Sequence, residues 1–102
     1  MHIETLKVFV DLVDMQSFSL AAERNFITQS AVSQQIRTLE DKFKRRLLER
    51  VRGRREVRLT TAGEVFYREC KNVLASYDVL KFRRNNRKGA VGISGNRIAV
   101  RL

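Results

Sequence analysis

Residues 17–40 read SFSLAAERNFITQSAVSQQIRTLE. The stretch divides into two short helices joined by a tight turn. Ser17 or Ser19 offers an oxygen to cap the first helix, over about 19–25. That helix is small and alanine-bearing (Leu20, Ala21, Ala22), and Phe26 and Ile27 are expected to end it by turning into the core. Thr28 caps the next helix. There Val32, Ile36, Leu39 and Phe43 recur at spacings of four, three and four, which makes one buried stripe. The opposite face carries Gln29, Ser33, Gln34 and Arg37, while small Ala31 allows a close helix neighbour. A merely solvated face would favour lysine and glutamate, the good helix formers. Uncharged amides and hydroxyls are suited instead to reading base edges. A reading helix enters the major groove with its N-terminal residues facing the bases. The order of residues therefore predicts a DNA-reading helix-turn-helix.

Upstream, Ile3, Leu6, Phe9, Val10 and Val13 share one helical face and predict a first helix over 2–15. Downstream, Leu47-Leu48-Glu49-Arg50-Val51 and Glu56-Val57-Arg58-Leu59 flank Arg52-Gly53-Arg54-Arg55. Val57 and Leu59 alternate with charged residues, as in a half-buried strand, and Gly53 permits a turn. The pattern predicts a two-stranded hairpin with an arginine tip. Arginines blunt an exposed strand edge; three in a four-residue tip also suit a minor groove, whose negative potential attracts them. Thr60 or Thr61 caps a further helix, and Thr61 with Glu64 has capping-box spacing. In it Phe66, Cys70, Val73, Tyr77 and Leu80 form a heptad seam. The seam either packs on the first helix or joins two subunits, and a shared role is expected. Cys70 falls within it and reads as a small buried residue.

Charge is concentrated. Residues 1–41 hold three basic and six acidic side chains, residues 42–58 nine and two, and residues 81–88 five and none. The whole chain of 102 residues carries a formal charge of +10. A basic run beside a reading helix implies phosphate contact. One cysteine allows no internal disulfide, which fits a reducing cytoplasm. No apolar run reaches the roughly 18 residues of a membrane span, and the early acids of MHIETLKVFVDLVD do not suit a signal peptide. His2 is the sole histidine, so no metal or cofactor site and no enzyme is expected. Asp11, Asp14, Glu40 and Asp41 read as helix-surface charges. Charge alone would also serve a non-specific nucleic-acid binder, the alternative function.

Residues 1–67 resemble the N-terminal DNA-binding domain of LysR-type transcriptional regulators. The resemblance is carried by Leu6 and Phe9, Ser17-Phe18-Ser19, Ala21-Ala22-Glu23 and Thr28-Gln29-Ser30-Ala31-Val32-Ser33. It continues through Gln35-Ile36, Leu39-Glu40, Leu47, Arg50 and Leu59-Thr60-Thr61-Ala62-Gly63-Glu64. Three departures stand out: Lys44 where the family has a small residue or glycine, Ser30 for a frequent proline, and Leu48 for phenylalanine. The wing between Arg50 and Thr60 is about two residues longer than usual.

The resemblance implies a mainly α fold. A winged helix-turn-helix of three helices and a two-stranded wing spans 1–62, and a long linker and dimerisation helix spans 63–88. Residues 89–102 are either the truncated start of an effector-binding domain or a disordered tail. It implies a cytoplasmic dimer on double-stranded DNA, bound at an interrupted palindrome, with a small-molecule inducer acting only in a full-length form. Gln29, Ser30, Ser33 and Gln34 would face bases; Thr28, Arg37 and Arg50 would touch phosphates; Arg52, Arg54 and Arg55 would serve the wing. Phe66, Cys70, Val73, Tyr77 and Leu80 would pair subunits.

Overall fold

A computed structural model of the chain describes residues 2–49 and 56–85. The described helices are α1 (Ile3–Met15), α2 (Phe18–Arg24), α3 (Gln29–Phe43) and α4 (Thr61–Asn85). Helix α1 turns its apolar face onto the rest, burying Leu6, Phe9 and Leu12. It stops at Gln16, whose left-handed backbone returns its N–H to Leu12 O at 2.9 Å. Of the two candidate caps for α2, Ser17 takes the role: its hydroxyl accepts from the Leu20 N–H at 3.0 Å. Ala21 and Ala22 are both buried, and their short side chains let α2 sit close against its neighbours.

Two sequence expectations fail at this first corner. Phe26 does not enter the core; it is 93% exposed. The turn closes through Phe26 N–H to Glu23 O and Ile27 N–H to Ala22 O. Ile27 alone packs inward, and the left-handed φ of 56° at Phe26 leaves its ring on the outside. Asp11 is not a surface charge but is 8% exposed. A buried carboxylate needs partners, and this one accepts from Lys7 Nζ and Asn25 Nδ2, both at 2.9 Å, with Arg24 Nε at 3.8 Å. It thereby ties α1 to the end of α2.

Thr28 caps α3 as expected, accepting from the Ala31 N–H at 3.0 Å. Val32, Ile36 and Leu39 form its buried stripe. Phe43, at the last turn, is 40% exposed and departs from the expected burial. It still meets the core by one edge, its ring centroid 5.1 Å from that of Phe66. Phe66 in turn stands edge-on to Phe9 at 5.3 Å, so one aromatic chain links α1, α3 and α4. Beyond α3, Glu40 is not a free surface charge either: its carboxylate accepts from the N–H groups of Leu47 at 2.8 Å and Leu48 at 3.2 Å.

Leu48 and Leu59 form an isolated antiparallel bridge, flanked by Glu49 N–H to Arg58 O at 2.9 Å and Thr60 N–H to Leu47 O at 3.0 Å. Among the described residues this bridge stands in place of the expected pair of strands. The tip of the expected hairpin, residues 50–55, lies outside them. Val57 is buried and Leu59 half-buried, in keeping with the alternation. Thr60, not Thr61, caps α4: its hydroxyl accepts from the Gly63 N–H at 2.9 Å. Thr61 is already helical, so the capping-box register is off by one.

Helix α4 has two environments. Cys70 is 2% exposed within the core, and Leu74 packs against it. Further along, Tyr77, Leu80 and Phe82 are 39%, 66% and 65% exposed. Tyr67 donates its hydroxyl to Asp14, a bond that fastens α4 to α1.

Candidate nucleic-acid interface

At 100° per residue, Gln29, Ser30, Ser33, Gln34 and Arg37 fall within an arc of about 140° on α3. The buried stripe occupies the other side. Gln29, Ser30, Gln34 and Arg37 are exposed and Ser33 is half-buried. The structure therefore brings these predicted residues onto one accessible face at the head of α3. Thr28 stands at its tip; its oxygen is taken by the cap, which leaves the hydroxyl proton to donate outward.

Beside this face an open cleft of about 610 Å³ runs between α3 and the segment that follows it. Ser33 and Arg37 belong to both face and cleft. Lys44, Arg45 and Arg46 line the cleft and are exposed, while Phe18, Ile36 and Leu48 form its apolar part. Of its two acids, Glu40 is bonded to backbone N–H groups. The cleft is thus predominantly cationic and continuous with the polar face of α3, a shape suited to a polyanionic backbone. Lys44, Arg45 and Arg46 are absent from the site predicted from sequence. The clustering of charge in 42–58 contains their signal, but only the fold shows that they line the same cleft as Arg37. Lys44 also sits at the left-handed C-cap of α3, φ 55°, the place where glycine is usual.

Arg50, Arg52, Arg54 and Arg55 lie outside the described residues. Of the heptad seam, Phe66 is engaged with Phe9 and Phe43, and Cys70 is buried in the same chain. These two pack on their own core, the intramolecular half of the expected shared role, and Cys70 is the small buried residue expected. Val73, Tyr77 and Leu80 remain exposed. Burial, with a smaller effect of Glu69, pushes the Cys70 thiol from its ordinary 9.0 up to about 11. The hydrogen bond to Asp14 is the main influence raising the Tyr67 phenol above its ordinary value. Among the described residues no group of three or more His, Cys, Asp or Glu side chains is placed to hold a metal ion, and no helix is long and apolar enough to cross a membrane.

Residues 3–64 match the family described as bacterial regulatory helix-turn-helix protein, lysR family. The chain is 37% identical over 86 residues to the nitrogen assimilation regulatory protein nac of Klebsiella aerogenes, covering 84% of this chain and 28% of that protein. It is 38% identical over 78 residues to the HTH-type transcriptional regulator BenM of Acinetobacter baylyi, covering 76% and 25%. The fold superposes on the crystal structure of a BenM_DBD/catB site 1 DNA complex with a TM-score of 0.78, at 34% identity over 87% of this chain and 94% of that one. The chain spans about a quarter of the length of the curated relatives it matches. With its helical core, its helix-turn-helix and this match across 3–64, the chain belongs to the LysR family of bacterial regulatory helix-turn-helix proteins.

Proposed function

We propose that this chain binds double-stranded DNA in a sequence-specific way and serves transcription regulation of LysR type. The observation that carries the reading is the exposed, uncharged polar face of α3 at Gln29, Ser30 and Gln34, set beside a cationic cleft. Gln29, Ser30, Ser33 and Gln34 read base edges. Thr28, Arg37 and Arg50 hold phosphates, joined by Lys44, Arg45 and Arg46. Segments before and after 50–55 approach each other at the Leu48–Leu59 bridge, which supports a wing with Arg52, Arg54 and Arg55 at its tip. The domain reading keeps a winged helix-turn-helix at 1–62, a linker helix at 63–88 and the start of an effector domain or a tail at 89–102.

The chain acts as a homodimer on an interrupted palindrome. Exposed Val73, Tyr77 and Leu80 on α4 support a subunit contact there, because a seam of this kind is otherwise left in water. Response to a small-molecule inducer belongs to a full-length form. The test is binding of Gln29→Ala and Gln34→Ala to a selected site and to random duplex. Each amide is worth about 1–3 kcal/mol of base discrimination, so the selected site is expected to lose about tenfold or more while random duplex is nearly unaffected. Equal losses on both would remove these residues from base reading.

A further inference from the structure

Gln16 holds a left-handed backbone, φ 54° and ψ 37°, which glycine adopts freely and glutamine seldom does. Such conformations persist where the surroundings over-determine them, and here the side chain shows what does so. Gln16 Nε2 donates to Val57 O at 3.0 Å, and the Val57 N–H donates to Gln16 Oε1 at 3.3 Å. The same Nε2 also donates to Val13 O at 3.0 Å. An amide that serves both the N–H and the C=O of one residue does what a neighbouring β-strand does. On its other side this segment has one bridge, Leu48–Leu59, and the bond from Glu49 N–H to Arg58 O. Gln16 therefore supplies a second edge to a ladder one bridge wide. Val57 is buried and the next residue, Arg58, is exposed.

We propose that Gln16 is a positioning residue for DNA binding: its amide, standing in for a third strand, sets where Val57–Leu59 and exposed Arg58 meet the duplex. The inference rests on the DNA-binding reading above. A cation held at a fixed height contacts phosphate, whereas one on an untethered segment gives part of that contact back as conformational freedom.

The experiment compares wild type, Gln16→Gly and Gln16→Glu by duplex binding at several salt concentrations and by amide exchange of Val57 without DNA. Glycine suits the left-handed backbone, so the melting temperature of Gln16→Gly is expected within a few degrees of wild type. Its Val57 amide exchanges faster, its affinity falls several-fold, and its salt slope is shallower by about one unit. In Gln16→Glu the carboxylate opposes Val57 O. With no donor for that carbonyl, its affinity is expected to fall at least as far as that of Gln16→Gly. Wild-type affinity and salt slope in Gln16→Gly would overturn the inference, whatever happens to exchange. If wild type itself binds no duplex, the DNA reading fails; a Val57 amide that still responds to Gln16→Gly tells that failure apart.

Discussion

Glu40 shows how much one side chain can hold in a small protein. Its carboxylate receives two backbone N–H groups, those of Leu47 and Leu48, as the chain leaves α3. Both leucines are buried, so Glu40→Ala strands donors that water does not reach easily. The expected cost is about 2–3 kcal/mol, and Glu40→Gln, which keeps an acceptor, costs about 1 kcal/mol; urea unfolding measures both. Cys70 makes a second prediction. Its folded-state pKa lies above its ordinary 9.0, at about 11, so the buried neutral thiol contributes stability that is fully present below pH 9. That contribution is lost as pH rises from 9 to about 11, where the unfolded chain ionises and the folded one resists. Unfolding free energies of wild type and Cys70→Ala, compared across this window, are expected to converge as pH rises. At the residue scale the sequence was least legible. Nothing local marks Glu40 or Gln16 as structural, because their partners lie across a turn or 41 residues away, and Asp11 shows only its helix neighbour Lys7 until the fold brings Asn25 to it. Phe26 misled for the opposite reason: its apolarity suggested burial, and backbone handedness decided otherwise.

Elements were far more legible. The three-and-four spacing of Ile3 to Val13 and of Val32 to Leu39 marks α1 and α3, since a helix must bury one stripe. Errors gathered at the ends, where geometry decides: Thr60, one of the two candidate caps, takes the role without the capping box expected of Thr61 and Glu64, and Phe43 is half out of the core. The head of α4 also holds a test. Gly63 is helical, and helix propensity alone would reward Gly63→Ala by about 1 kcal/mol. A Cβ there would lie 2.1 Å from Leu47 O and 3.0 Å from its carbonyl carbon. Backbone cannot swing aside as a flexible side chain does, and overpacking of this kind costs about 1–3 kcal/mol or more. Gly63→Ala is therefore expected to lower the melting temperature; a rise would mean that α4 does not press on Leu47. The polar face of α3 was legible too, because composition and periodicity agree at Gln29, Ser33 and Gln34. The cationic cleft was half legible: charge density pointed to the region, and only packing chose Lys44, Arg45 and Arg46.

At the scale of the whole molecule, two surfaces stand out among the described residues. One is the cationic cleft with its polar face, and the other is the exposed part of α4. Tyr77→Asp with Leu80→Asp places charge in the proposed seam without touching the core, since both residues are exposed. Sedimentation is expected to show monomers for this variant and dimers for wild type, with loss of affinity on a two-half-site duplex and much less on a single half-site. The central claim, sequence-specific recognition by a symmetric pair, is tested most directly by selecting bound duplexes from a random pool with the chain. The expected product is an inverted repeat whose half-sites are about 10 base pairs apart, or a multiple of that, as one reading helix per major groove requires. Recovery of duplexes with no common motif, bound with an affinity that vanishes in salt, would contradict it.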